Sequence, residues 1–482
     1  MATRKPEDFV NKPGQYDVVT HEDRYPPRPK ILNNILEAVG NTPLVKLNKV
    51  PQSFGVKCQI LAKCEYFNPG GSIKDRIVMR MINDAVKLGR LKEGGHLIEP
   101  SSGNTGVALG LCSSVLGYKG TVTFADKNDG EKIVTMKALG LEMVKTPGVA
   151  WDDPRSYFSV AYEMSKNTPG AVTLNQYECI SNALSNYDQT AEELLEQCDN
   201  KIDAIVMATG TGGTLTGIAA KIKEKLPSCQ IVGVDPVGSI MAVPDELNKE
   251  GLKSYKIEGM GHDFVPNTCV RKYVDQWIKT RDQESFDLAR RLIKEEGLLT
   301  GGSCGSVLYA AIQYALEHNL DETKRVIIVL PDSIRNYMSK FASDEWMVEN
   351  GYYPQSLYED PKHRLHGKLV KDLKLSTVKI QSKDLTIEQA IKLFKDGEPA
   401  IVVGENGNIL GGVFEAALLS TFYSKGLKPS DNIGQVGFKS LPIVTLETDL
   451  SIVARFLEKN KVVLVKDGEN VHKITALDLL TL

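Results

Sequence analysis

The chain has 482 residues, 42% of them apolar and 25% charged, which is the composition of a folded globular protein long enough for several compact units. A net charge of −3 gives no electrostatic reason to expect nucleic acid or an anionic membrane surface as a partner, and no run of about 18 uncharged apolar residues marks a membrane span. The eight cysteines, Cys58, Cys64, Cys112, Cys179, Cys198, Cys229, Cys269 and Cys304, have no Cys-x-x-Cys spacing, which argues against a disulfide framework and a structural zinc site.

Residues 1–30 are polar and proline-containing, with Glu7, Asp8, Asp17, Glu22 and Asp23 and no apolar core segment. They read as the flexible N-terminal arm of a cytoplasmic protein, not as a secretory or organelle leader. Residues 31–351 alternate short apolar runs with helical patterns. The expected strands are Gln59–Ala62, His96–Glu99, Thr121–Phe124, Ala204–Ala208, Gln230–Val234 and Arg325–Leu330. Between them, patterns such as Leu215, Ile218, Ala219, Ile222 and Leu226 carry the helical period. This alternation predicts an α/β fold with a mainly parallel sheet covered on both faces. Residues 352–375, with Pro354, Pro361, His363 and His366, lack periodicity and read as a linker. In residues 376–482, Asp384-Leu385-Thr386-Ile387 and Asp449-Leu450-Ser451-Ile452 each precede a helical pattern and a β-branched run, the mark of a tandem repeat.

Four glycine-rich elements lie at predicted helix starts. The first, Asn68-Pro69-Gly70-Gly71-Ser72-Ile73-Lys74-Asp75-Arg76, precedes the amphipathic stretch Ile77–Leu88. Lys74 therefore sits near the positive end of a helix dipole, which disfavours a cation by roughly 0.3–1 kcal/mol. The bias favours the neutral amine, the form that attacks a carbonyl carbon. The second element, Glu99 to Gly106, places Ser101, Ser102, Gly103, Asn104 and Thr105 before the helix Val107–Leu116. One such residue suffices as a cap, whereas the whole run also suits a carboxylate. The third, Gly210-Thr211-Gly212-Gly213-Thr214, fits a single phosphomonoester. It lacks the Gly-Lys-Ser/Thr of a nucleotide-hydrolysing loop, and Leu215 stands where a dinucleotide fingerprint needs glycine. The fourth, Thr300 to Ser306, contains Ser303, whose hydroxyl suits either a loop cap or a bond to a heterocycle nitrogen.

Together these elements resemble the fold-type II pyridoxal-phosphate enzymes. Lys63-Cys64-Glu65-Tyr66-Phe67, Leu174-Asn175-Gln176-Tyr177, Val234 to Ile240 and Leu330-Pro331-Asp332-Ser333-Ile334-Arg335-Asn336-Tyr337 are similar to the cystathionine β-synthase family in particular. The C-terminal repeat resembles a pair of CBS domains. The resemblance implies two subdomains with twisted, mainly parallel sheets, a C-terminal regulatory module, pyridoxal 5'-phosphate as cofactor and a homodimer. It assigns Lys74 to a Schiff base with the cofactor and to acid–base work, and Asn104 to the cofactor's ring oxygen. Gly210, Thr211, Gly212, Gly213 and Thr214 are assigned to its phosphate, and Ser303 to its pyridine nitrogen. Ser101, Ser102, Thr105 and Gln176 are implied for the substrate carboxylate. Tyr177 is placed at the active-site entrance, with Gly261 and His262 beside the substrate. The implied reaction joins L-serine and L-homocysteine into cystathionine and water, with hydrogen sulfide from cysteine as a side reaction. The alternative is a cysteine synthase that takes O-acetylserine or O-phosphoserine with sulfide.

Three departures from that family pattern carry expectations. No cysteine precedes Cys58 and His21 is the only histidine of the arm, so no haem is expected. His262 stands where the family usually has tyrosine, and a titrating imidazole there would alter the pH profile. The second repeat keeps Thr475 and Asp478, whose carboxylate suits a ribose, whereas the first has Val413-Phe414-Glu415-Ala416-Ala417. At most one site for an adenosyl effector is expected. No metal site is expected.

Overall fold

The run Val326–Leu330 is apolar on both faces and can be satisfied only inside a covered sheet. The computed structural model places it there. It describes all residues except 1–3, 15–16, 26–27, 126–129, 150, 353–359, 406–407 and 469, and it divides into two units, Met1–Ala342 and Ser343–Leu482.

The strands of the first unit are β1 (Leu44–Lys46), β2 (Gln59–Cys64), β3 (His96–Pro100), β4 (Lys119–Ala125), β5 (Glu142–Thr146), β6 (Ala171–Val172), β7 (Ala204–Ala208), β8 (Gln230–Pro236), β9 (Gln276–Thr280) and β10 (Arg325–Leu330). They form two sheets, ordered β1-β2-β10-β7-β8-β9 and β5-β4-β3-β6. Every pairing is parallel except β1 with β2. The helices are α1 (Val50–Ser53), α2 (Lys74–Lys87), α3 (Asn104–Leu116), α4 (Glu131–Ala138), α5 (Tyr157–Asn167), α6 (Ile180–Ser185), α7 (Ala191–Gln197), α8 (Gly213–Lys225), α9 (Asp282–Glu296) and α10 (Gly302–Glu317). One apolar core joins the six-stranded sheet to α7 and α8 through Ile205, Met207, Leu215, Ile218 and Ile327. A second joins the four-stranded sheet to α2 and α3 through Ile77, Met81, Leu97, Leu109 and Val122.

The six expected strands lie within β2, β3, β4, β7, β8 and β10. Four further strands, β1, β5, β6 and β9, go beyond that expectation: they are short, or carry charges such as Glu142 and Lys145 along them. Three helices begin earlier than their apolar periodicity does. The small polar residues of the glycine-rich elements are themselves the first turns of α2, α3 and α10.

The start of α2 is anchored by a buried charge network. Arg76 donates to Glu65 at 2.7 Å and to Glu193 at 2.7 Å, and Lys63 donates to Glu193 at 2.6 Å. All four side chains are fully buried. Such a network resists replacement one member at a time, because removing one partner strands a desolvated charge.

The N-terminal segment is seated rather than free. Phe9 and Val10 are fully buried against Ile180, Leu184 and Tyr187, and Asn11 donates to the carbonyls of Pro266 and Cys269. The two apolar side chains among polar neighbours give too short a pattern to be read as a core contact.

The second unit begins before the expected linker, with α11 (Asp344–Glu349). Val348 and Val370 belong to its apolar core, so part of 352–375 is core; residues 353–359 lie outside the described residues. Its strands are β11 (Ser376–Thr377), β12 (Ile401–Glu405), β13 (Asn408–Val413), β14 (Ile443–Val444), β15 (Val463–Asp467) and β16 (Asn470–Ile474). Its remaining helices are α12 (Ile387–Lys395), α13 (Glu415–Ser424), α14 (Leu450–Lys459) and α15 (Ala476–Leu480). Thr386 caps α12 and Asp449 caps α14 through their side chains, the N-cap chemistry written in both repeat signatures.

Candidate active site

Parallel strands point their carboxyl ends at one edge, and loops leaving that edge for a helix build ligand sites there. In this chain such loops follow β3, β7 and β10. One cavity is lined by Lys74, Asn104, Met207, Ala208, Gly210, Thr211, Gly212, Thr214, Ser303, Pro331 and Asp332, among others. Four helices begin at it: Lys74 is the first residue of α2, Asn104 the first of α3, Gly213 the first of α8, and Ser303 the second of α10. None of the four has a side-chain cap on its N-cap residue. The cavity thus collects the positive ends of four dipoles, the environment of an anionic ligand.

Lys74 is the cation in that cavity. Burial pushes its amine down to about 8, partly opposed by the carboxyl of Asp332. A minority, far larger than for an ordinary lysine, is neutral near physiological pH, as nucleophilic attack on a carbonyl requires.

The turn before α8 has the shape of a phosphate cradle. Gly212 adopts the left-handed conformation at φ +84°, and a Cβ there would lie 2.3 Å from Cys269 Cβ. Only glycine suits that turn. Asn182 donates to the Thr211 hydroxyl at 2.9 Å, and the Thr268 hydroxyl donates to the Thr211 carbonyl at 2.7 Å. The loop is therefore held through the hydroxyl and carbonyl of Thr211. The residues present fit a phosphorylated aldehyde: a depressed lysine amine, an uncapped glycine turn at a helix start and a buried hydroxyl, Ser303, in one cavity.

Of the residues expected to bind cofactor, Lys74, Asn104, Gly210, Thr211, Gly212, Thr214 and Ser303 line the cavity; Gly213, whose amide opens α8, is not part of its wall. The expected carboxylate-binding residues lie outside that wall, on the adjoining loops. Ser101 Oγ accepts from the amides of Gly103 and Gly106, each at 3.2 Å, so it takes the capping role left open by the sequence. Ser102 precedes Gly103 on the same loop and is half-buried. Thr105 donates to Gln176 Oε1 at 2.6 Å. The buried carboxyl of Glu99 receives the amides of Asn175 and Gln176, and burial pushes it up to about 7. Tyr177 joins an aromatic group with Phe158, His262 and Phe264, with ring centroids 5.1 to 6.3 Å apart. Gly261 donates its amide to the Thr209 carbonyl. Burial, with Lys74 adding to it, depresses the His262 imidazole to about 4. It is neutral across the physiological range.

Sequence reasoning gave no role to Asp332, Asn336, Glu99, Asn182 or Thr268. Asp332 and Asn336 stand inside a quoted motif, and Glu99 opens the second glycine-rich element, so a signal was present. Asn182 and Thr268 are single polar residues without a local pattern.

In the second unit, Asp478 accepts from the Thr475 amide at 2.7 Å and from its hydroxyl at 2.8 Å. The pair closes a local cap on α15. The equivalent position of the first repeat, Phe414, offers no side-chain cap to α13. Among the described residues no group of His, Cys, Asp and Glu has the arrangement of a metal site, and no helix is long and apolar enough to cross a membrane.

The profile of the family described as pyridoxal-phosphate dependent enzymes matches residues 35–332. The cystathionine beta-synthase of Dictyostelium discoideum is 47% identical over 94% of this chain and 92% of its own length. That of Rattus norvegicus is 44% identical over 91% of this chain and 78% of its own. Among solved structures, the O-acetylserine dependent cystathionine beta-synthase from Helicobacter pylori superposes with a TM-score of 0.59 at 31% identity, over 65% of this chain and 99% of that one.

Proposed function

The chain belongs to the cystathionine beta-synthase family of pyridoxal-phosphate-dependent enzymes, and from that premise we propose that it condenses L-serine with L-homocysteine to cystathionine and water, with Lys74 as the residue that carries the reaction. The observation that carries the reading is a single lysine amine, pushed down to about 8, in a cavity where four helices begin. When bound, pyridoxal phosphate supplies an electron sink conjugated to the amino acid's α-carbon. Gly210, Thr211, Gly212, Gly213 and Thr214 would hold its phosphate, Asn104 its ring oxygen and Ser303 its ring nitrogen.

The Lys74 amine, neutral in a large fraction of molecules near pH 8, takes the proton from serine's α-carbon. The resulting ammonium is the acid that lets the β-hydroxyl depart as water. The homocysteine sulfur then bonds to the β-carbon, and the α-carbon regains a proton from Lys74. Bond and proton changes balance: one C–O bond is exchanged for one C–S bond, serine's α-proton leaves in the water, and the thiol proton passes through Lys74 to the α-carbon. Ser101, Ser102, Thr105 and Gln176 orient the substrate carboxylate; support comes from the Thr105–Gln176 bond and from Glu99 fixing the Gln176 backbone. Tyr177, Gly261 and His262 border the incoming thiol and restrict water with their aromatic neighbours. The same site would release hydrogen sulfide when cysteine takes serine's place.

We also assign the C-terminal unit as a tandem CBS-domain module, with Thr475 and Asp478 facing an adenosyl effector, and the chain as a cytoplasmic homodimer. The repeated cap–helix–strand order supports the first assignment, and eight free thiols, seven of them buried, suit a reducing compartment. Product analysis separates serine plus homocysteine from O-acetylserine plus sulfide. Turnover of the second pair alone would replace this reading with a cysteine synthase.

A further inference from the structure

Among the described residues Asp332 is the one carboxyl in the cavity wall. It follows the last residue of β10 by two positions and is buried. Its Oδ2 accepts from Asn104 Nδ2 at 2.8 Å and from the Tyr337 hydroxyl. Asn336 Nδ2 donates to the other end of the same amide, Asn104 Oδ1, at 2.7 Å. A carboxylate can only accept, so Asp332 dictates which way the Asn104 amide points, and Asn336 completes that orientation by presenting its N–H to Oδ1. Turned over, it would set its oxygen against the carboxylate oxygen and lose that bond. One of its N–H groups is thereby spent on Asp332, and the second is left for a bound molecule.

The carboxyl is also seated in a slot made for it. Gly301 packs so closely that a Cβ there would lie 1.9 Å from Asp332 Oδ1, and the Gly301 amide donates to the Asp332 carbonyl at 2.9 Å. Oδ1 itself is buried without a hydrogen-bond partner among the described residues. Keeping a half-satisfied carboxyl in such a place destabilises the fold, which argues for a task outside packing. The slot joins the β10 edge to the starts of α3 and α10, so one side chain registers two of the four helix ends that meet at the cavity.

We propose that Asp332 is a positioning residue of the cofactor site, acting through Asn104: with Asn336 it locks the amide so that one N–H is held for the anionic ring oxygen beside the cofactor's aldehyde. This rests on the cofactor reading given above and goes beyond it by naming how the donor is oriented. The locking needs an acceptor at position 332 and does not need a charge.

The test uses the full-length protein with pyridoxal phosphate and reads the cofactor's visible absorbance band and its dissociation constant, with circular dichroism as a check of folding. Asp332→Ala is expected to shift the band and weaken cofactor binding about tenfold, the loss of one hydrogen bond. Asp332→Asn, whose amide oxygen still accepts, is expected to restore both. Asn336→Ala loosens the other end of the amide and shifts the band in the same direction, which keeps the idea testable if Asp332→Ala does not fold. In an Asn104→Ala background the effects of Asp332→Ala and Asn336→Ala should vanish. Unaltered spectra in the single variants, effects that multiply in the double variants, or failure of Asp332→Asn to restore the band would each overturn the proposal alone. A wild-type protein that carries no cofactor band would overturn the cofactor reading, and this proposal with it.

Discussion

Thr105 and Gln176 face each other at 2.6 Å, hydroxyl to amide oxygen, so the first turn of α3 is tied to the loop that carries Tyr177. A carboxylate bound between them would meet a receptor already assembled, and preorganisation lowers the ordering cost of binding.

Removing that tie should act on substrate binding more than on chemistry. Thr105→Val keeps the shape and loses the donor, so KM for serine is expected to rise about tenfold, the value of one hydrogen bond, with kcat changed less. Gln176→Ala should do the same, and the double variant should be no worse than the poorer single one. Steady-state kinetics at saturating homocysteine checks this.

The depressed amine of Lys74 sets the pH dependence of cofactor capture. Its proton is lost as pH rises through about 8, and only the unprotonated form attacks the aldehyde. Reconstitution of cofactor-free protein should therefore speed up from pH 6 to 8 and level off above. Lys74→Ala should stay folded, show no turnover and leave no cofactor on the peptide after borohydride reduction.

The phosphate cradle predicts a specific failure at Gly212. Alanine there meets Cys269 at 2.3 Å and is held at φ +84°, where an L-residue loses roughly 1–2 kcal/mol from backbone strain alone. Gly212→Ala should retain its secondary structure by circular dichroism while its cofactor content drops severalfold.

His262 is expected to contribute no titration between pH 6 and 9, because its imidazole is deprotonated above about 4. The kcat/KM profile of His262→Phe should keep the wild-type pH midpoints whatever its height. A midpoint that moves by a full unit would mean that the ring is protonated in the working enzyme.

Much of this site was legible because its chemistry is written contiguously. Lys74, Gly210 to Thr214 and Ser303 each sit in a run of small residues at a helix start, and such runs have few uses. What escaped was assembled across the chain. Asp332 meets Asn104 over 228 positions, and Thr268 reaches Thr211 over 57. No local period encodes such pairs. The depressed imidazole of His262 escaped for a related reason: its burial among Tyr177 and Phe264 is a tertiary fact. Likewise the seated Phe9 and Val10 look, in sequence, like two isolated apolar residues in a tail.

Four helices aim their positive ends at one small volume, so the empty polypeptide carries an electrostatic burden that a phosphate-bearing ligand relieves. Binding to the native state alone deepens the folding well by RT ln(1 + [L]/Kd), about 2.7 kcal/mol at a hundredfold excess over Kd. The lifetime of this protein is thereby coupled to the supply of a vitamin-derived molecule. Scarcity of that nutrient would not merely idle the catalyst; it would thin its numbers.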